Sequence, residues 1–170
     1  TAVFIIYSPL FGLVLAFSLL VLVSWLVHRV RAKRTAQKTF RGLQLLSAAA
    51  FSLGHGANDA QKTMGIIAAL LIGANKLDAS VLDDPDGLPM WIVLSCHAAI
   101  GLGTMFGGWK IVKTMGTKLT RLEPMGGVCA ESAAAATLFF ASYNGIPVST
   151  THTITGAIVG VGSTKRLSAV

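Results

Sequence analysis

Long apolar stretches alternate along the chain with short polar segments, a pattern typical of helices that cross a membrane. Residues 4–27 form an apolar run of 24 residues, long enough as a helix to cross the roughly 30 Å hydrocarbon layer of a bilayer. Residues 90–109 form a second run of this kind. The pattern therefore predicts two complete transmembrane helices at these places.

A third apolar stretch, residues 43–74, is unusual because polar residues interrupt its middle. As one helix it would measure about 48 Å, which is too long for a simple crossing. Each of its apolar halves matches about half the thickness of a bilayer. We therefore expect a broken helix, with a polar and locally unwound centre, rather than one smooth rod.

The last apolar region covers residues 125–164 and contains Glu131. Its closing run, residues 154–162, is too short to cross a bilayer alone. Two arrangements remain, a pair of full spans or a re-entrant helical hairpin that turns back at residues 145–147. We favour the hairpin, and the predicted fold class is an all-α, polytopic helical membrane protein.

Composition and charge agree with a membrane protein. Only 12% of the residues are charged, against roughly 25% in a typical soluble domain. The net charge of +7 comes from Lys and Arg at the ends of apolar segments, where such residues set orientation, so nucleic-acid binding is disfavoured. Residues 28–41, with six Lys or Arg and no acid, are predicted to be a cytoplasmic loop. The acidic residues 75–89 are predicted to lie on the opposite side.

Two further features concern the extent and the cysteines of the chain. It begins without Met and ends abruptly, so we expect a piece of a longer protein. Cys96 and Cys129 show no metal-binding or disulfide spacing. Both are interpreted as small packing residues.

A first polar cluster lies in the middle of the third stretch. On a helix, four of its side chains fall within a narrow arc: His55, Asn58, Asp59 and Lys62. An Asp59–Lys62 pair that merely holds helices together is the simplest alternative. Each unpaired charge at the centre of a membrane costs roughly 2.5–3.5 kcal/mol, and helix contact alone does not require the additional amide and imidazole groups. We therefore favour a functional site.

A second polar cluster occupies residues 147–153. Pro147 lacks an N–H and has a fixed φ, so it can end one helix and precede another. Three consecutive hydroxyls, on Ser149, Thr150 and Thr151, then follow at a helix N-terminus. Free N–H groups and the helix dipole attract anions there, although one hydroxyl would suffice as an ordinary N-cap. Interrupted helices are common at transporter binding sites, so the two clusters together favour transport of an anion.

The segments HGANDAQKTMG, residues 55–65, and PVSTTHTITGAIVGVG, residues 147–162, resemble the second-repeat signatures of the PiT-type inorganic phosphate transporters. The resemblance implies one half of an inverted-repeat transporter, with the first repeat of the same protein as its missing partner. It implies a multi-pass protein of the plasma membrane that carries inorganic phosphate, or metal–phosphate, by cation-coupled symport. The coupling ion is Na⁺ or H⁺, no other cofactor is expected, and a homo-oligomer is left open.

The resemblance also implies roles for individual residues. Asp59 would hold the coupling cation, and His55, Lys62 and His152 are accessory candidates. The implied phosphate-binding residues are Asn58, Gln61, Ser149, Thr150 and Thr151.

Two other function classes fit the sequence less well than phosphate transport. A divalent metal ion transporter or channel could use His55 and Asp59, but the cluster has one carboxylate and Lys62 would repel the ion. An intramembrane enzyme is disfavoured because the GxxxxGK spacing is absent and no acid is placed to orient His152 beside Ser149. We therefore predict no catalytic residue and no metal site.

Overall fold

The computed structural model describes residues 2–28, 33–82, 87–114 and 122–164, and all regular elements in these ranges are helical. The five α-helices are α1 (Ala2–Val27), α2 (Lys33–Gly73), α3 (Met90–Thr114), α4 (Pro124–Tyr143) and α5 (Thr150–Ser163). A short 3-10 turn, Ala79–Leu82, lies between α2 and α3. The predicted all-α class is confirmed.

Three helices in these described ranges are long and apolar enough to cross a membrane. Their spanning windows are Ile6–Val27, Met90–Trp109 and Pro124–Tyr143. Only 17% and 11% of the first two windows are buried, whereas 56% of the third is buried. Helix α4 is therefore the centre of the packing, while α1 and α3 present most of their apolar side chains outward, as helices in lipid do.

Helix α2 differs from the prediction in two respects. It runs without a break from Lys33 to Gly73, so the expected interruption is not found. The segment contains no proline, and polar side chains in its middle bond to neighbouring helices, so its backbone need not open to satisfy them. The helix also begins inside the basic segment predicted to be a loop, because Lys, Arg, Ala and Gln favour helix; residues 29–32 lie outside the described ranges.

Helices α2 and α4 run in the same direction with a fixed register. The Ser47 hydroxyl donates to Glu131 Oε2 at 2.5 Å, and the Asn58 amide donates to the Ser142 hydroxyl at 3.2 Å. Both pairs are separated by 84 residues in sequence. The second pair lies 11 residues further along each helix, which is about three turns. One face of α2 therefore meets one face of α4. Helix α3, which lies between them in the chain, makes the return.

Helix α3 packs against α2 through a small apolar cluster. This cluster consists of Ala60, Met64, Ile92 and Cys96. The glycines of α3 take no part in a close helix contact among the described residues, since a Cβ added at Gly101, Gly103 or Gly107 would meet no atom within 4 Å.

The close backbone approach occurs between α1 and α5. A Cβ at Gly12 would lie 2.6 Å from the Thr153 carbonyl oxygen. A Cβ at Gly156 would collide with the Pro9 carbonyl, and one at Gly160 with the Leu13 carbonyl. Small residues let two helices approach in this way inside membranes, so α1 and α5 pack backbone against backbone.

The turn between α4 and α5 lies where the sequence predicted it. Helix α4 ends in a Schellman motif, in which the Ile146 N–H donates to Ala141 O at 2.8 Å and the Gly145 N–H donates to Ser142 O at 3.1 Å. In this motif the residue that follows the C-cap has a left-handed backbone. That residue is Gly145, which follows the C-cap Asn144 and has a φ of 64°. The two helices therefore form a helical hairpin whose tip is residues 144–149.

We predict that Gly156→Ala destabilises the protein, because its new methyl group has no room against the Pro9 backbone. Overpacking of this kind costs about 1–3 kcal/mol, so the midpoint of thermal unfolding of the purified protein in detergent falls. Gly101→Ala is the matched control, since its methyl group meets open space and alanine favours helix by about 1 kcal/mol. Equal midpoints for the two variants would contradict the close packing of α1 and α5.

Candidate functional site

The middle of α2 and the hairpin tip meet at Asp59 and Lys62. The Lys62 ammonium lies 2.9 Å from Asp59 Oδ1, one turn away on the same helix. It also donates to the main-chain carbonyl of Val148 at 2.7 Å. Since Val148 belongs to the hairpin tip, this one ammonium group links the two polar clusters that the sequence singled out.

The N-terminus of α5 brings one hydroxyl, that of Thr150, to the same carboxylate. Ser149 is the N-cap, and its hydroxyl accepts a hydrogen bond from the His152 N–H at 3.4 Å. The next residue, Thr150, is buried and donates its hydroxyl to Asp59 Oδ2 at 3.4 Å. The helix dipole favours negative charge at this end, so the Asp59 carboxylate is stabilised where a bound anion would also be favoured.

His55 completes the contacts of the carboxylate. Its Nε2 lies 2.9 Å from Asp59 Oδ2, and its ring packs near that of Phe51, with centroids 5.9 Å apart. The side chains of His55, Asp59 and Lys62 are 36%, 34% and 39% exposed. The carboxylate is thus bonded through both oxygens yet remains accessible from one side.

Asn58 lies on the inner side of the cluster. Only 3% of it is exposed, and its amide N–H bonds the Ser142 hydroxyl. Its carbonyl oxygen, Oδ1, is buried without a hydrogen-bond partner in the described structure. A buried acceptor with no partner is costly, so this oxygen is available to a ligand that offers a proton or a positive charge.

The structure brings most of the predicted site residues together. Asp59, Lys62, His55 and Thr150 are in contact, and Asn58 precedes Asp59 directly. Gln61, Thr151 and His152 belong to the same two segments, and they lie exposed on the surface of the described helices.

Three contributors were missed by reasoning from the sequence. The Val148 carbonyl is a main-chain group, so no residue type could signal it. Ser142 lies on the apolar helix α4 and has no polar neighbour in sequence until Asn144. Ser47 was missed as well, although its partner on α4, Glu131, is an acid within an apolar run.

An apolar groove lies on the other side of the hairpin tip. It has a volume of about 430 Å³ and lies between the first half of α1, the end of α4 and the tip. Val148 lines this groove, while its carbonyl oxygen bonds Lys62. The tip therefore separates an apolar surface from the polar cluster.

Metal ligands are sparse around the cluster. Across residues 2–28, 33–82, 87–114 and 122–164, no three His, Cys, Asp or Glu side chains come together as a metal site would need. Cys96 and Cys129 are buried free thiols in apolar clusters. Their interpretation as packing residues is confirmed.

The fold and the cluster define a class, that of helical membrane proteins with a polar site between a long helix and a helical hairpin. Comparison with known protein families identifies the family within this class, because the phosphate transporter family matches residues 1–170. The chain belongs to this phosphate transporter family, and the resemblance found in the sequence is confirmed. The chain belongs to a transporter family, and three of its described helices are long and apolar enough to cross a membrane. It is therefore a membrane protein.

Curated relatives carry the same description. A "Probable low-affinity inorganic phosphate transporter" of Rhizobium meliloti (strain 1021) is 56% identical over 170 residues, which are 100% of this chain and 49% of that protein. One of that name from Bacillus subtilis (strain 168) is 43% identical over 166 residues, 98% of this chain and 48% of that protein. Another from Mycobacterium tuberculosis (strain ATCC 25618 / H37Rv) is 40% identical over 147 residues, 84% and 34% of the respective chains.

The chain spans about half the length of the curated relatives it matches most extensively. No solved structure matches it. The arrangement of the site therefore rests on the geometry described above.

We predict that Ser142→Ala destabilises the protein, because it leaves the amide N–H of buried Asn58 without its partner. A buried donor left unpaired costs about 1–3 kcal/mol, so the midpoint of thermal unfolding falls. Ser52→Ala, at an exposed position of α2, is the control and leaves the midpoint unchanged. If the Ser142 variant matched this control, the link between α2 and α4 at Asn58 would be refuted.

Proposed function

We propose that this chain forms one half of a transporter that carries inorganic phosphate across the plasma membrane, coupled to the movement of Na⁺ or H⁺. The proposal extends to the whole polypeptide, in which a first repeat of inverted topology supplies the other half of the site. It is supported by the family, by the names of the relatives and by the meeting of the two polar clusters.

One observation carries the proposal. The N-terminus of α5, a buried hydroxyl on Thr150 and the Asp59 carboxylate meet within hydrogen-bond reach. Phosphate is a mono- or dianion at neutral pH, and helix N-termini and hydroxyls replace the water around such an anion. Ser149, Thr150 and Thr151 would bind phosphate together with Asn58 and Gln61.

The coupling role falls to Asp59. A carboxylate beside an anion is unfavourable unless a cation or a proton offsets its charge. Loading of that cation and of phosphate therefore favour one another, which is the physical basis of symport. His55 and Lys62 contact the carboxylate directly and would be accessory residues of the site, as would His152 in the first turn of α5.

The hairpin is proposed to be re-entrant. Helix α5 has 14 residues and measures about 21 Å, less than the roughly 30 Å of a hydrocarbon core. Its tip would then lie inside the membrane against the middle of α2, where a transporter of inverted repeats binds its substrate. Rocking of one repeat against the other would open this place to either side, and a homo-oligomer stays a prediction.

Transport of a free divalent metal ion is the weaker alternative. His55 and Asp59 do approach each other at 2.9 Å, but the Lys62 ammonium bonds the second oxygen of the carboxylate and would repel the ion. Uptake of labelled phosphate and of labelled zinc into vesicles that contain the complete polypeptide distinguishes the two. Saturable uptake of zinc without phosphate, and none of phosphate, would reject our proposal.

We predict that Asp59→Ala abolishes cation-coupled phosphate uptake by the complete polypeptide in proteoliposomes. The loss should be about 100-fold or more, since the variant removes the group that holds the coupling charge. Asp78→Ala is the control, because Asp78 is an acid exposed in the turn after α2, bonded to the Ser80 N–H. Coupled uptake at the normal rate by the Asp59 variant would remove this residue from the mechanism.

A second prediction concerns the hydroxyl at the start of α5. Thr150→Val keeps the shape of the side chain and removes a donor, so the KM for phosphate should rise about tenfold, as expected for a hydrogen bond to a charged group. Thr155→Val serves for comparison, because the Thr155 hydroxyl bonds the Thr151 carbonyl within its own helix. An unchanged KM for the Thr150 variant would place phosphate elsewhere.

A further inference from the structure

Lys62 occupies an unusual position for a lysine in an apolar protein. Its ammonium lies between two oxygens, Asp59 Oδ1 at 2.9 Å and the Val148 carbonyl oxygen at 2.7 Å. The first oxygen carries a share of the carboxylate's negative charge, and the second belongs to a main-chain dipole just before α5. The ammonium therefore bridges the long helix and the hairpin tip.

These oxygens are the kind that bind a small hard cation. Carboxylate, main-chain carbonyl and hydroxyl oxygens are the usual ligands of such ions, and main-chain carbonyls of interrupted helices hold Na⁺ in other transporters. Here the carboxylate of Asp59, the carbonyl of Val148 and the hydroxyl of Thr150 are gathered at one place. An ammonium group carries the same single positive charge as Na⁺. It donates hydrogen bonds to the oxygens that would coordinate the ion.

A free cation and the ammonium compete for this place. Two like charges at neighbouring positions repel one another, and both would bond the same Asp59 oxygen. Because Lys62 is tethered to α2 only three residues from Asp59, its local concentration is far above that of an ion in solution. The tethered ammonium therefore wins the competition.

We propose that Lys62 is a built-in counter-cation that fills the place where Na⁺ would bind, and so determines which ion the transporter uses. This inference rests on the proposed function of the same site. With Lys62 present, Na⁺ is excluded from the Asp59–Val148 position, and phosphate uptake proceeds without Na⁺. When Lys62 is replaced by a neutral residue, the same oxygens bind Na⁺.

The experiment combines direct binding with transport. Binding of ²²Na⁺ is measured on the purified complete polypeptide, for the wild type and the variants Lys62→Gln, Lys62→Ala and Lys62→Arg. The control is Lys38→Gln, which removes an exposed lysine near the start of α2. Uptake of labelled phosphate into proteoliposomes is measured in sodium and in N-methyl-D-glucamine buffers at equal pH. Circular dichroism verifies that each variant is folded.

The expected result has three parts. The wild type and Lys38→Gln bind no Na⁺ at this place and take up phosphate equally in both buffers. At least one neutral Lys62 variant binds Na⁺ saturably with about one ion per chain, and its phosphate uptake becomes about tenfold faster in sodium than in the organic cation. Lys62→Arg, which keeps the charge, stays independent of Na⁺.

Two results would overturn the inference. One is a wild type that binds Na⁺ at this place although Lys62 is present, or a wild type that requires Na⁺ for phosphate uptake. The other is a pair of folded Lys62→Gln and Lys62→Ala proteins that bind no more ²²Na⁺ than the wild type. A wild type that takes up no phosphate in either buffer would instead refute the proposed function, while the binding measurement would still decide the role of Lys62.

Discussion

The contact between the Lys62 ammonium and the Val148 carbonyl is the constraint on which the polar site depends. It joins the middle of one helix to the tip of a hairpin 86 residues away in sequence. A charged group in an apolar protein must find oxygens or remain in water. Here the acceptors are a carboxylate on its own helix and the main-chain carbonyl of Val148, two residues before α5. Satisfying one lysine thus positions both clusters.

The helices around this contact are arranged to make it rigid. Two side-chain hydrogen bonds with the same sequence separation fix α2 against α4. Half of α4 is buried and much of its buried surface is alanine and glycine, so its neighbours approach closely. The hairpin turn is closed by a Schellman motif at Gly145. The site is therefore held by helices and by a defined turn rather than by a free loop.

Much of this arrangement could be predicted from the sequence, since apolar runs mark helices and polar residues inside them mark a site. The position of the hairpin turn followed from those patterns, and the resemblance to a transporter family implied that Asp59 and Thr150 belong to one site. The unwound centre that the sequence predicted for α2 is not found, because whether a polar residue breaks a helix depends on partners from other parts of the chain. The Val148 carbonyl and the close contacts at Gly12 and Gly156 are formed by the main chain. Residue type alone does not indicate such contacts, so they could be recognised only from the fold.

The backbone packing of α1 against α5 has a consequence for movement within the bilayer. Glycines that leave no space for even a methyl group also leave no space for sliding, so the two helices form one rigid body. Any displacement of the hairpin tip must carry the outer helix α1 with it. Because most of α1 faces outward, the surrounding acyl chains have to rearrange each time, so the viscosity of the lipid directly resists that motion.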